Sequence, residues 1–326
     1  MSRPILCFGE ALIDFHAEGT GDAGFPRAFV PFAGGAPANV AVAAARLGGA
    51  ARFAGMLSRD PFGDFLLDSL ERAGVGVADV ARTGEANTAL AFVSLDARGE
   101  RSFNFYRPPS ADLLFRPGHF RAGAFDDVAV FHVCSNSMTD AELAETTREG
   151  MRRAQAAGAL VSFDLNLRPA LWPRDSNPRP SVWPALQLAD VVKLCAEEFA
   201  WLAEDGALLN RLWRGRTRLL VVTDGPRPLR WFRRDASGEL PCPQVEAVDT
   251  TAAGDAFVGG LLCRLAALEP GAFDTLLHDE AGLHEMLAFA AACGALTVTR
   301  QGSFAAMPSA TEVDTFLASN PQGSLE

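Results

Sequence analysis

Between 127 and 225 the chain alternates short apolar runs with longer amphipathic ones, and this rhythm restricts the fold more than any other feature. "DVAVFHVCS", "LVSFDLN", "VVKLC" and "RLLVVTDG" read as strands buried on both faces. "DAELAETTREGMRRAQAAGA", "VWPALQLAD" and "AEEFAWLAE", which lie between them, read as helices. Strands and helices in alternation predict a mostly parallel sheet covered by helices on both faces.

The first hundred residues add to this sheet and then depart from it. "ILCFGEALIDFHA" reads as a buried strand that breaks at Gly9 and continues as a second extended piece. "FAGGAPANVAVAAARLGG" is a glycine loop and then a helix, with Pro37 in its first turn and Gly48 and Gly49 at its end. "ARFAGMLS" is a strand, and "DPFGDFLLDSLERAGV" a helix with Phe62, Phe65, Leu66 and Leu70 on one side. "TALAFVSLDARGERSFNFYR" forms two strand-like runs around a polar turn at 96–99. The polar-alternating strands near 11–32 and 86–107 do not suit a sheet buried on both faces. They predict a small separate layer, a lid, inserted in one domain spanning 1–326. The proline-rich "RPALWPRDSNPRPSVWP" is a loop, and the terminal "SNPQGSLE" a loose tail.

Composition narrows the partners. With 326 residues, 48% hydrophobic and 21% charged, the chain is long enough to bury a sizeable core. A net charge of −11 argues against nucleic acid, although a few backbone N–H groups can still hold a small phosphorylated ligand. Cys7, Cys134, Cys195, Cys242, Cys263 and Cys293 are scattered, with no CxxC pair, and read as free thiols in a reducing compartment. The five histidines show no paired spacing and read as structural. The first residues lack a secretory leader's apolar core, and no apolar run reaches the ~18 residues of a membrane helix. A cytoplasmic protein that avoids membranes is therefore expected.

"VDTTAAGDAFVGG", 248–260, carries the chemistry. Phe257, Leu261, Leu265 and Leu268 recur at helical spacing, so a helix begins near Ala253. Its first N–H groups have no internal partners, and the small residues Ala252, Ala253 and Gly254 let an anion approach them. Asp255 sits beside that spot, where a fixed negative charge would repel a phosphate. A carboxylate there makes sense if a hydroxyl must lose its proton while attacking phosphorus. Taken alone, Asp255 reads more simply as a helix cap and the alanines as packing. "GGAPANVAVAAARLG" adds Gly34, Gly35 and the donor–acceptor Asn39, and Asp14 on the early strand can accept from two hydroxyls. Alone, this loop could be no more than a tight helix entry.

Together, "GGAPANVAVAAARLGG" and "DTTAAGDAFVGGLL" resemble the two signatures of the PfkB/ribokinase family of carbohydrate kinases, and the order of elements is similar along nearly the whole chain. The resemblance implies a ribokinase-like, Rossmann-like α/β fold with a β-sheet lid. It makes Asp255 the catalytic base and the amides of Ala252, Ala253 and Gly254 an anion hole. Ala252 stands where the family commonly has glycine. Asp14, Gly34, Gly35 and Asn39 match its sugar-hydroxyl contacts. Thr223 and Gly225 of "VVTDGP" match its ATP phosphate contacts, although Pro228 replaces a second glycine. Lys193, Thr250 and Gly254 join them on the nucleotide side, with Ala291 near the adenine. Asp249 and Thr251 match a monovalent-cation site for K+, completed by carbonyls around 297–306, where Ala306 replaces a frequent serine. "VKLCAEEF" matches an N-x-x-E pattern tied to Mg2+. A thiol is a poor ligand for that ion, so with Cys195 at the Asn position the role falls on Glu198, through water.

"FDLNLRPALW" and "FNFYRPPSADLL" resemble the fructokinase branch, and less closely the ketodeoxygluconate kinases. On that basis Arg107 reaches from the lid to sugar or phosphate. Asn166 and Arg168 sit at a strand's C-terminal end, where open α/β sheets bind ligands. The implied activity is ATP-dependent phosphorylation of a primary hydroxyl on a small sugar, D-fructose first, with 2-keto-3-deoxygluconate or a nucleoside as alternatives. A homodimer through the lid is a further expectation. "FGEALIDF" lacks the G-x-G-x-x-G of a nicotinamide enzyme, and the chain has no G-x-x-x-x-G-K-[ST].

Overall fold

A computed structural model describes residues 3–20, 25–95, 101–204 and 206–320. In chain order its strands are β1 (Ile5–Phe8), β2 (Leu12–Thr20), β3 (Pro26–Gly34), β4 (Ala51–Ser58), β5 (Gly76–Thr83), β6 (Leu90–Leu95), β7 (Arg101–Tyr106), β8 (Val130–Cys134), β9 (Leu160–Asp164), β10 (Val191–Cys195), β11 (Leu219–Asp224), β12 (Arg227–Phe232) and β13 (Ser237–Leu240). Its helices are α1 (Ala36–Arg46), α2 (Pro61–Arg72), α3 (Ala141–Ala156), α4 (Arg179–Leu186), α5 (Ala196–Leu202), α6 (Leu208–Arg214), α7 (Ala253–Ala266), α8 (Phe273–His278), α9 (Glu280–Val298) and α10 (Ala310–Ser319).

The central sheet runs β13-β12-β11-β10-β9-β8-β1-β4-β5. It is parallel from β11 to β5, with β12 and β13 added antiparallel at one edge. Successive strand side chains point to opposite faces, so a run that is apolar throughout fills two cores. Ile5, Cys7, Val191 and Val221 pack on one face with α1, α7 and α9. Leu6, Phe8, Val192 and Val222 pack on the other with α3 and α4. This is the doubly covered α/β architecture expected from the strand–helix rhythm.

A second sheet has the order β3-β2-β6-β7, antiparallel except between β2 and β6. Residues 96–99, read as the hairpin's turn, lie outside the described residues, as does the tail from 321. The edge strands β5 and β13, the adjoining β12 and the short helices α6, α8 and α10 were not legible in the sequence pattern. On α2, Leu66 and Leu70 are fully buried, but Phe62 and Phe65 stay 36% and 41% exposed. Phe62 turns instead to the second sheet, its ring 5.7 Å from that of Phe15. One exception meets the expectation about membrane-length runs. α9 is long and apolar enough to cross a membrane by length and composition, and half of that window is buried in the protein. Its apolar residues pack against α7 in the core, which accounts for its composition.

Candidate active site

The C-terminal ends of β1, β8 and β9 and the N-termini of α1 and α7 surround a cleft of about 730 Å3. Such a volume suits a small ligand. Leu12 and Asp14 from β2 and Phe105 from β7 close it from the side of the second sheet.

α1 enters the cleft through Gly35, whose φ of 105° belongs to the left-handed half of the map. A Cβ there would stand 2.6 Å from the Glu10 carbonyl oxygen, so both backbone angle and space call for glycine. One turn on, Asn39 donates through Nδ2 to Asp255 Oδ2 at 2.7 Å. From the opposite wall Asn166 donates through Nδ2 to Asp255 Oδ1 at 3.3 Å. Asn166 has a φ of 38°, and its own N–H donates to Asp164 Oδ1 at 3.2 Å.

Asp255 lies in the first turn of α7, is 8% exposed and lines the cleft. Burial raises its pKa above the usual aspartate value, although the Asn39 hydrogen bond and the charges of Arg168 and Lys193 oppose the rise. No side chain caps α7, so Asp255 is not its cap. The helix opens instead on Ala252, held in the left-handed region at φ 58°. An uncapped helix N-terminus beside a carboxylate can stabilise a developing anion and accept a proton at one place. Lys193 Nζ donates to Asp164 Oδ2 at 3.1 Å and lies 3.1 Å from where a Cβ on Gly254 would be.

The model of the pfkB family carbohydrate kinases matches residues 2–310. The chain belongs to that family. Among its relatives, "Probable fructokinase-7" of Arabidopsis thaliana is 41% identical over 97% of this chain and 92% of that protein's length. A crystal structure of fructokinase with bound ATP from Xylella fastidiosa is 55% identical, with a TM-score of 0.94, covering 98% of this chain and 99% of that one. The fructokinase of Vibrio cholerae, crystallised with fructose, ADP and calcium ion, is 32% identical with a TM-score of 0.86, over 97% and 99% of the two chains.

In this carbohydrate kinase the cleft gathers Asp14, Gly35, Asn39, Asn166, Arg168, Thr250, Thr251, Ala252 and Asp255. Gly34 stands just behind: a Cβ there would overlap Asp14 Oδ2. Asp249 is buried and ties the anion loop to a later one, accepting from Thr251 N at 2.7 Å and Gly302 N at 3.0 Å. Thr223 pairs with Cys195 of β10 one residue before β11 ends, and Gly225 makes the turn into β12 with φ 57°.

Three expected residues sit elsewhere. Arg107 does not reach into the cleft. It is 2% exposed and donates to Asp112 Oδ2 at 2.8 Å, Asn136 O at 2.7 Å and Thr139 Oγ1 at 3.1 Å. A buried guanidinium needs a carboxylate, and Asp112, five residues on, supplies it. Glu198 likewise does not line the cleft. Its Oε2 accepts from Cys195 N at 2.7 Å, closing the start of α5, and its Oε1 accepts from Leu167 N at 2.6 Å. Ala291 is packed in the core cluster on α9.

Two polar cleft residues escaped the sequence reading. Glu10 is 1% exposed and accepts from Asn136 Nδ2 at 2.9 Å and from Ala36 N at 3.3 Å. Burial pushes its carboxyl up, opposed by the Arg107 charge. Asn136 keeps a buried Oδ1 with no partner among the described residues. The available signal was an acid directly after the apolar "ILCFG".

Proposed function

We propose that this chain is an ATP-dependent fructokinase that phosphorylates a primary hydroxyl of D-fructose. The observation that carries the reading is the placement of Asp255 in the cleft. Two carboxamides hold it, and it stands beside an uncapped helix start. Fructokinases similar over nearly the full chain, one with bound ATP and one with fructose and ADP, support the choice of substrates.

In this reading fructose enters between the second sheet and the central strands, its hydroxyls meeting Asp14, Asn39 and the Gly34–Gly35 backbone. Asp255 accepts the proton of the attacking hydroxyl, and the oxygen bonds to the γ-phosphorus as ADP leaves. The amides of Ala252, Ala253 and Gly254 and the Lys193 ammonium take up charge on the transferring group. Thr223, Gly225 and Thr250 contact ATP phosphates, and Arg168, exposed at the rim, faces the same anions. The second sheet excludes water that would otherwise hydrolyse ATP.

Magnesium suits this site as an ion carried by the ATP phosphates and water, since it commonly keeps both. It would neutralise phosphate charge. A monovalent cation fits beside Asp249 and Thr251, where the later loop is tied to Asp249 through Gly302 N at 3.0 Å. Six free cysteines suit a reducing, cytoplasmic setting. Homodimerisation through the second sheet belongs to the same reading, supported by its outer rings. Phe29 and Tyr106 both contact Phe92 and are 39% and 61% exposed.

The test is Asp255→Asn. Fructose binding by calorimetry should persist while turnover falls by about 10^2- to 10^4-fold. Near-normal turnover would remove Asp255 from the mechanism. A panel of fructose, ribose, 2-keto-3-deoxygluconate and nucleosides in an ADP-release assay checks the substrate.

A further inference from the structure

The cleft's two amide donors to Asp255 have different supports. Asn39 stands on a regular helix. Asn166 stands on a single left-handed residue just past the end of β9, in a backbone conformation that needs outside help to persist. That help comes from below the cleft. Asp164 is 2% exposed, and its carboxylate divides between two partners. Oδ1 accepts the N–H of Asn166 at 3.2 Å, and Oδ2 accepts Lys193 Nζ at 3.1 Å. The same Lys193 ammonium lies against Gly254 of the turn that opens α7.

We propose that Asp164 is a positioning residue for phosphoryl transfer: one buried carboxylate sets both Asn166, which orients Asp255, and Lys193, which underlies the anion-binding turn. The inference rests on the kinase reading of Asp255 and adds to it the part that fixes the base relative to the anion hole.

Other contacts around the pair point the same way. The Lys193 carbonyl accepts from Leu165 N at 3.1 Å, so backbone bonding joins the end of β10 to the turn after β9. Glu198 grips that turn from its far side through Leu167 N. The groups facing Lys193 are Asp164, Glu198 and Asp255, with His132 beneath. Burial pulls Lys193 down, but the three carboxylates outweigh it and leave it raised, hence charged. His132 is driven down to about 3 by burial and by Lys193, so it stays neutral and adds no competing charge. Asp164 is therefore the one hydrogen-bonded carboxylate of Lys193 among the described residues, and it is not itself part of the cleft lining but reaches it through the Asn166 N–H.

Three substitutions separate the two arms. Asp164→Asn keeps an oxygen for the Asn166 N–H and loses the ion pair. Lys193→Met loses the same ion pair from its other side and leaves the Asn166 N–H bond in place. Asp164→Ala loses both arms. Asp164→Asn and Lys193→Met should each lower kcat by about 30- to 300-fold, the scale of one misplaced electrostatic partner. Fructose KM should move less than about threefold, because Asp14, Gly35 and Asn39 are untouched. The double variant Asp164→Asn/Lys193→Met should fall no further than Lys193→Met, since both changes cut one link. Asp164→Ala should fall below Asp164→Asn as Asn166 is released. Thermal melts identify any variant that fails to fold, and the two conservative variants then carry the test.

A lower Tm with unchanged kcat in Asp164→Asn would overturn the proposal, leaving Asp164 as a fold-stabilising group only. Multiplicative losses in the double variant would overturn it too, because the residues would then act separately. Failure of the wild-type chain to phosphorylate fructose would strike the proposed function instead, so the two failures are distinguishable.

Discussion

Replacing Arg107 by methionine leaves an apolar, unbranched thioether and removes the hydrogen bonds to three partners. The charge left behind is Asp112, 4% exposed, whose other bond is from Ser110 Oγ at 2.6 Å. Breaking a buried pair from one side costs about 3–5 kcal/mol, most of it the price of an uncompensated charge. Unfolding entropy near 2.1 cal/mol/K per residue makes about 0.7 kcal/mol/K for 326 residues. A loss of about 4 kcal/mol then lowers Tm by about 6 °C. Calorimetry reads that shift, and initial rates read fructose KM alongside it. Removing both charges, as Arg107→Met with Asp112→Leu, should recover most of the loss, since an apolar pair of similar volume suits a buried site at least as well. An unchanged Tm with fructose KM raised tenfold or more would refute this reasoning. Arg107 would then be touching sugar, as its motif suggests, and not anchoring the end of β7 to the Asn136 loop.

Three further outcomes follow from the same geometry. Ala252→Gly should stabilise the protein by about 0.5–1 kcal/mol, because relief at φ 58° exceeds the added freedom of the unfolded chain; a lower Tm would show that the left-handed turn carries no strain. Gly34→Ala should push Asp14 aside and raise fructose KM at least tenfold with ATP KM unchanged, checked by varying each substrate in turn. The acid limb of kcat/KM for fructose should lie above the usual aspartate range, because the proposed base Asp255 works only when ionised and burial raises its pKa in the free enzyme. Asn39→Ala removes a bond that holds that pKa down, so the limb should move to still higher pH; a limb at or below the ordinary value would contradict the burial of Asp255.

The helix-and-strand rhythm was readable because it follows from local periodicity. A run such as "VVKLC" is apolar on both faces wherever it sits, and α7 announces itself through Phe257, Leu261 and Leu265. The strands at this end of the sheet were not readable, because β12, "RPLRWF", is half polar and becomes a strand only through pairing with β11 and β13. At the site, Asp255, Asn39 and the 252–254 turn were legible as motifs, since loop chemistry at a helix start is a local matter. Which face of a residue meets the cleft is not local. Arg107 and Glu198 carry suitable chemistry, but each has a nearer partner in Asp112 or in backbone amides that sequence spacing does not reveal. Glu10 shows the converse. It is an acid after an apolar strand with no motif to mark it, brought to the cleft wall because Gly35 lets α1 press against its carbonyl. Residue order was thus enough for the layers and the chemistry of the α7 entry. The partners of each buried charge came only with folding, because a charge removed from water takes the nearest group that solvates it, however far along the chain that group lies.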